Sequence, residues 1–321
     1  MSQTRLLITG GAGFIGANLV RAALAAETYT VRVVDDFSTG LEANLAGLPV
    51  EVVRCSILDE PTLRRAVAGM DAVVHLAALP SVARSVADPL GSHRVNTTGT
   101  LNVLEAARHT GVRQVVVASS SSVYGGNPVL PKHELAWTRP LSPYAVTKLA
   151  TEAYALAYQE SFGMSTLAFR FFNVYGPGQR HDHAYAAVVP RFVHAALTGE
   201  PAVVHGDGLQ SRDFTYVDTV CQVLLDAVWR EVSHPQPVNL AYGTRTDLRS
   251  VIAEIETVLG REIEVRHAPP RPGDVRHSQA ENVTLRKLFP DVVPTPLPVG
   301  LRATIDWFRT QNTSAASVAA R

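Results

Sequence analysis

The sequence predicts an α/β protein, a doubly wound parallel sheet with a smaller second α/β lobe. Three observations carry this. Short, almost wholly apolar runs alternate with helix-period segments through the first half of the chain, the pattern of parallel strands covered on both faces. A glycine-rich turn, Gly10-Gly11-Ala12-Gly13-Phe14-Ile15-Gly16, follows the first apolar run and opens a helical pattern. From about Gly176 the character changes, with Gly176-Pro177-Gly178, Gly206-Asp207-Gly208 and Pro269-Pro270-Arg271-Pro272-Gly273 as punctuation.

The strand candidates are Arg5–Thr9, Val31–Val34, Glu51–Arg54, Ala72–Leu76, Gln114–Ala118 and Thr166–Arg170. The helical patterns between them are Phe14–Ala26, Thr62–Val67, His93–His109 and Tyr144–Phe162. In the second half, Ala187–Leu197 and Leu248–Leu259 read as helices, and Asp213–Trp229 and Pro237–Ala241 as returns toward the sheet. Residues 1–178 and 213–240 are assigned to the sheet domain, and residues 179–212 and 241–311 to the lobe. The lobe is expected to close over the C-terminal strand ends, where open α/β sheets bind ligands. Residues 312–321 read as a disordered tail.

Composition narrows the function. The 321 residues are 46% hydrophobic and 18% charged, with zero formal net charge. That fits a soluble protein with a sizeable core and points to neither nucleic acid nor an anionic membrane as partner. No apolar run is long enough to span a bilayer, and the start reads as lacking a signal peptide. Cys55 and Cys221 are the only cysteines, so a disulfide framework and a thiolate metal site are unexpected and a cytoplasmic location is the default. His181 and His183 lack companion ligands at metal spacing and read as solvated, and His75 as packed in a strand. No metal is expected.

Two motifs carry chemistry. Gly11, Gly13 and Gly16 satisfy G-x-G-x-x-G, and Gly10, Gly13 and Gly16 the variant G-x-x-G-x-x-G. The glycines allow a tight turn and close approach of the backbone to a pyrophosphate seated at the helix N-terminus. Asp35 ends the second strand, 19 residues past Gly16, where a carboxylate meets the adenosine ribose hydroxyls. Asp35-Asp36 favours NAD over NADP, because carboxylates repel a 2′-phosphate; Arg32 should point elsewhere, and Asp36 also reads as a turn residue before Ser38-Thr39-Gly40.

The second motif is Ser142-Pro143-Tyr144-Ala145-Val146-Thr147-Lys148. Ser142 suits an N-cap and Pro143 the first helical position. Tyr144 and Lys148 then share a face at i and i+4. A phenol titrates at about 10, and a neighbouring ammonium and a positive nicotinamide ring should both lower it toward general-base use. The strand Val115–Ala118 runs into Ser119-Ser120-Ser121-Ser122, hydroxyls able to hold a substrate hydroxyl.

With these stretches, the chain resembles the extended short-chain dehydrogenases/reductases of the nucleotide-sugar epimerase/dehydratase family, whose main domain is a Rossmann sheet. The resemblance runs to about Trp307. It includes His75-Leu76-Ala77-Ala78, Ser81-Val82-Ala83-Arg84-Ser85, Asn96-Thr97-Thr98-Gly99-Thr100, Arg170-Phe171-Phe172-Asn173-Val174-Tyr175-Gly176-Pro177, Arg212-Asp213-Phe214 and Arg271-Pro272-Gly273-Asp274-Val275-Arg276-His277-Ser278. It implies NAD held by Gly10, Gly13, Phe14, Ile15, Gly16, Asp35, Asp36, Ser38, Gly40, Ser56, Ile57, Leu76, Ala77, Ala78, Asn96, Tyr144 and Lys148. Ser56 replaces the family's adenine-contacting Asp, and Pro80 stands where galactose-specific enzymes use Lys.

The resemblance also implies a reaction. Dehydratases carry Thr-Asp-Glu where this chain has Ser120, Ser121 and Ser122, and UDP-glucuronate decarboxylases carry Thr and Glu in that stretch. The serines look like the 4-epimerases. Tyr144 would take the 4-hydroxyl proton and Ser120 would hydrogen-bond the same oxygen. C4 would pass through a 4-keto intermediate and regain its hydride on the opposite face, with Lys148 on the nicotinamide ribose. Asn173, Arg212, Arg271 and Asp274 match positions that hold the UDP moiety. Ser81, Gln179, Ala187, Val189 and Ser278 would line the sugar pocket, where the small Ser278 leaves room for an N-acetyl group. UDP-GlcNAc/UDP-GalNAc or UDP-glucose/UDP-galactose is the favoured substrate. Arg180 points instead to UDP-glucuronate, since relatives use an Arg there on the sugar carboxylate. Dehydratase, decarboxylase and non-catalytic NAD-sensor readings rank below these. A homodimer through the helices at His93–His109 and Tyr144–Phe162 is expected from the resemblance.

Overall fold

The computed structural model describes residues 3–182, 186–270 and 275–319. The first six strands are β1 (Thr4–Thr9), β2 (Tyr29–Asp35), β3 (Glu51–Arg54), β4 (Ala72–His75), β5 (Gln114–Ser120) and β6 (Ser165–Phe171). They join Val238–Leu240 in a seven-stranded sheet of order Val238–Leu240, β6, β5, β4, β1, β2, β3, parallel throughout. The order reverses between β1 and β4, which opens a crevice at their C-terminal ends. Every strand expected in the first half forms, within two residues at each end.

Alternation along the strands makes two cores. Leu6, Ile8, Val33, Val116 and Phe169 face one side, under α1 (Phe14–Ala25) and the helix Val217–Trp229. Leu7, Val34, Val115, Val117 and Ala168 face the other, under α2 (Glu60–Val67), α5 (Gly99–Thr110) and α6 (Pro143–Phe162). Cys55 and Cys221 are free, buried, and in opposite cores. The single helix expected at His93–His109 is broken: α3 (Val82–Ala87) and α4 (Pro89–His93) are followed by a π-helical turn at Arg94–Thr98, then α5. Asp88 caps α4 through the Gly91 N–H at 2.9 Å, so Pro89 restarts the helix four residues early.

A third core joins the helix Val188–Thr198, the helix Leu248–Leu259 and the last helix through Val189, Phe192, Leu248, Val251, Leu301, Ile305 and Phe308. Only part of the Asp213–Trp229 stretch is extended. Phe214–Tyr216 pairs with Asn173–Tyr175 outside the main sheet, and Val217–Trp229 is helical. The last helix spans Leu297–Ala319, so helical backbone runs into the stretch for which a disordered tail is expected; its alanines have the highest helix propensity. Among the described residues, no helix is long and apolar enough to cross a membrane.

Candidate active site

The glycine turn is built for close approach. Gly10 has φ +72°, and a Cβ there would lie 2.7 Å from the Ala77 backbone nitrogen, so the turn after β1 packs directly on the segment after β4. A Cβ at Gly16 would lie 2.2 Å from the Gly10 carbonyl oxygen. Gly13 is the N-cap of α1, with no side-chain cap and no acidic residue in the first turn. The N–H groups of Phe14 and Ile15 therefore face a cradle that suits an anion.

Asp35 braces this turn. Its carboxylate accepts the Ala12 N–H and the Phe37 N–H, both at 2.8 Å. Burial raises its pKa, and these two bonds work against the rise; each oxygen keeps a lone pair for a ligand hydroxyl. Asp36 is exposed and accepts from the N–H and hydroxyl of Ser38, the turn role. Gly40 packs on Ala12, and Arg32 turns away to Glu51. Ser56 accepts the Leu58 N–H, and Ile57 packs against Gly99.

Leu76, Ala77 and Ala78 are half-buried beside the glycine turn. Asn96 fixes the loop after β4: Oδ1 accepts the Leu79 N–H at 2.7 Å, and Nδ2 donates to the Leu79 carbonyl and the Thr147 hydroxyl. His75 is packed as expected, between the hydroxyls of Thr9 and Thr100, and burial lowers its pKa to about 3.

The chemical end brings β5 and α6 together. Ser142 caps α6 through the Ala145 N–H at 3.2 Å. Lys148 donates from Nζ to the Ala118 carbonyl at 2.7 Å, and burial lowers its pKa to about 8. The Ser120 hydroxyl lies near the Tyr144 phenol and pulls its pKa down. Burial works against the expected lowering. Burial raises the Tyr144 phenol above its usual value, and the nearby Ser120 hydroxyl offsets only part of the rise. Lys148 gives one of its three N–H donors to the Ala118 carbonyl, and the shift of the Tyr144 phenol has burial and Ser120 as its causes. Ser120 also accepts the Ser122 N–H; Ser121 is half-buried, and the Ser122 hydroxyl is buried without a partner.

At the sugar end, Asn173 and Arg212 line one cleft of about 170 Å³ with Arg191, His205 and Gln210. Arg191, His205 and Gln210 are not among the residues expected from sequence; the one local signal is the place of Gln210 two residues before Arg212. Arg212 donates to the Ser211 carbonyl at 2.9 Å, and the neighbouring Asp213, fully buried, clamps Gly243, Thr244 and Ala280. Ser81 holds φ +97° and caps α3 through Arg84 N–H, a backbone strain of the sort that gathers at functional sites. Gln179 donates to the Val174 carbonyl, and its own oxygen is buried with no partner among the described residues. Asn18 ties the loop carrying Gln179 and Arg180 to α1 through the Pro177 carbonyl at 2.9 Å. Arg180 forms a two-pronged pair with Asp182. Ser278 is held by its N–H on the Ser211 carbonyl at 3.0 Å. Ala187 is exposed, whereas the Val189 side chain lies in the third core.

Arg271, Asp274, His183 and Tyr185 lie outside the described residues. His181 is not solvated as expected: it stacks on His194 with ring centroids 3.8 Å apart, edge-on to Phe308. Among the described residues no group of three metal-ligating side chains comes together.

The sequence profile of the NAD dependent epimerase/dehydratase family matches residues 6–241. The chain belongs to that family. It is an extended short-chain dehydrogenase/reductase with a Rossmann sheet, and its cofactor is NAD, for which the glycine cradle and the uncapped α1 N-terminus fit. It is 36% identical over 314 residues to a UDP-glucose 4-epimerase of Mycolicibacterium smegmatis, covering 96% of this chain and 99% of that one. It is 32% identical over 326 residues to a UDP-N-acetyl-alpha-D-glucosaminuronate decarboxylase of Bacillus cytotoxicus, covering 96% and 98%. Among solved structures, a UDP-N-acetylglucosamine 4-epimerase of Methanobrevibacter ruminantium in complex with UDP-N-acetylmuramic acid superposes with TM-score 0.91 at 35% identity, covering 97% of this chain and 100% of that one. The family thus spans several reactions on nucleotide sugars, and the choice among them rests on this chain's own side chains.

Proposed function

We propose that this family member is a UDP-sugar 4-epimerase acting on UDP-GlcNAc/UDP-GalNAc, UDP-glucose/UDP-galactose, or both. The observation that carries the reading is the serine run beside Tyr144. Elimination of water needs an acid and a base next to the reacting carbons. Ser120, Ser121 and Ser122 offer only hydroxyls, and the nearby Glu152 is already engaged by Arg170 and Ser119. That set supports proton removal at one hydroxyl and little else.

NAD, when bound, supplies the hydride acceptor for C4, the hydride for its return, and a positive ring that favours phenolate at Tyr144. Tyr144 takes the 4-hydroxyl proton, and Ser120 holds the same oxygen while charge develops on it. Lys148, donating to the Ala118 carbonyl, keeps a cation one helical turn from the phenol. Tyr144 then returns the proton once the 4-keto sugar has presented its other face. Asn173 and Arg212 are assigned to the UDP end, since a guanidinium fork binds two phosphate oxygens. The small Ser278 favours a sugar carrying an acetamido group.

Arg180 supports a second reading, UDP-glucuronate as substrate. The Asp182 carboxylate already in its fork weighs against it. A homodimer is part of the proposal: the outer faces of α4 and α6 expose Leu90, Val146 and Phe162. The test is product mass. Epimerisation leaves the mass of the UDP-sugar unchanged and accumulates no NADH; a product lighter by water or carbon dioxide defeats the proposal.

A further inference from the structure

We infer that Glu152 is a positioning residue for the Tyr144–Lys148 pair, the third contact on one helix face that locks α6 onto the end of β5. Tyr144, Lys148 and Glu152 stand at i, i+4 and i+8 of α6, so they lie above one another on a single face. Three successive residues of β5 meet them. Ser120 lies close enough to Tyr144 to pull its pKa down, the Ala118 carbonyl accepts from Lys148 at 2.7 Å, and the Ser119 hydroxyl lies 2.7 Å from the Glu152 carboxylate and 3.1 Å from the Lys148 carbonyl.

The next strand completes the lock. Arg170 is the register partner of Ser119 across β5 and β6. Its guanidinium grips both Glu152 oxygens, at 3.0 Å and 2.6 Å, donates to the Glu134 carbonyl, and lies over the Tyr124 ring at 4.7 Å. Tyr124 in turn donates to Asn239 on the edge strand. Arg170 is 4% and Glu152 2% exposed. A buried ion pair is a poor means of stabilising a core, because desolvation offsets its attraction, but it fixes geometry well. Here the geometry fixed is the height of α6 over the strand end where Ser120 and Tyr144 meet. With the turn 144–148 free to shift by an ångström, the proton-transfer contact would be lost.

The inference rests on the proposed roles of Tyr144 and Lys148, and its deciding readout, a lysine titration, needs neither sugar nor turnover. The chain has three lysines, Lys132, Lys148 and Lys287, so carbon-13 lysine NMR gives three resolvable titrations, with Lys148 assigned by Lys148→Arg. Burial and, after it, the Lys148 charge lower the His75 pKa to about 3, so His75 is neutral throughout the range. In the native protein Lys148 should titrate near 8. In Ser119→Ala, which leaves the Glu152–Arg170 pair intact, and in Glu152→Gln, the midpoint should rise by about one unit as water reaches the loosened ammonium. Lys132 and Lys287 should not move, and kcat should fall about tenfold with KM little changed. A purely structural Glu152 predicts a lower melting temperature with the Lys148 midpoint unmoved, and that result in folded Ser119→Ala overturns the inference. A native protein that converts no UDP-hexose would defeat the proposed function while leaving this titration to be decided.

Discussion

Arg180 closes its guanidinium on Asp182, with Nε to Oδ1 at 2.8 Å and Nη2 to Oδ2 at 2.9 Å. The pair holds the Asp182 carboxyl down to about 2 and fills the fork that a sugar carboxylate would need. It is also half exposed, so it is worth only about 0–1 kcal/mol. Asp182→Asn should therefore lower KM for UDP-glucuronate by up to about fivefold and leave KM for UDP-GlcNAc unchanged. Steady-state kinetics on the two substrates checks this; equal effects on both would separate Arg180 from the sugar.

The cofactor cradle is sensitive to a single methyl group. At Gly16 a Cβ would meet the Gly10 carbonyl at 2.2 Å, and relief requires the turn to move. Gly16→Ala should cost about 1–3 kcal/mol of stability and abolish retention of NAD through purification. Thermal unfolding and the NAD content of the purified protein measure the two effects.

Tyr144→Phe removes the only proposed base. Turnover should drop by about 10² to 10⁴, with NAD content preserved because the glycine turn is untouched. Ser120→Ala should lose less, since Tyr144 keeps its proton-transfer role. Equal turnover in Tyr144→Phe and native protein would support a non-catalytic NAD-binding role.

Two buried bases give stability a definite pH dependence. Lys148 is lowered from 10.5 to about 8 and His75 from 6.5 to about 3, in both cases chiefly by burial. Between about 8 and 10.5, and again between about 3 and 6.5, the unfolded chain binds the proton that the folded chain refuses. Stability from these groups therefore rises with pH across each window. Lys148→Met should flatten the alkaline rise in urea midpoint, and turnover that needs the ammonium should decline above about pH 8.

The sheet was legible because parallel strands covered on both faces read as unbroken apolar runs, from Leu6-Leu7-Ile8 to Val115-Val116-Val117. The glycine turn and the Tyr144–Lys148 spacing were legible because each is local in sequence. What sequence concealed is mostly long-range. The bonds of Asn96 to Leu79 and Thr147, the raised Tyr144 phenol, the core position of Val189 and the stacking of His181 on His194 all depend on residues brought together by the fold. The π-helical turn at Arg94–Thr98 was hidden for a different reason, since its residues keep the helical apolar spacing on either side. Glu152 was hidden in plain view, one turn beyond Lys148, because its partners Ser119 and Arg170 lie on two other elements.

The most direct test of the central proposal is a proton NMR time course of the purified protein with UDP-GlcNAc, UDP-glucose and UDP-glucuronate in separate tubes. The account predicts inversion at C4, with UDP-GlcNAc converted to UDP-GalNAc fastest. Conversion of UDP-glucuronate alone would contradict the weight placed on Ser278 and Asp182, and no C4 inversion of any of the three would contradict the proposed function itself.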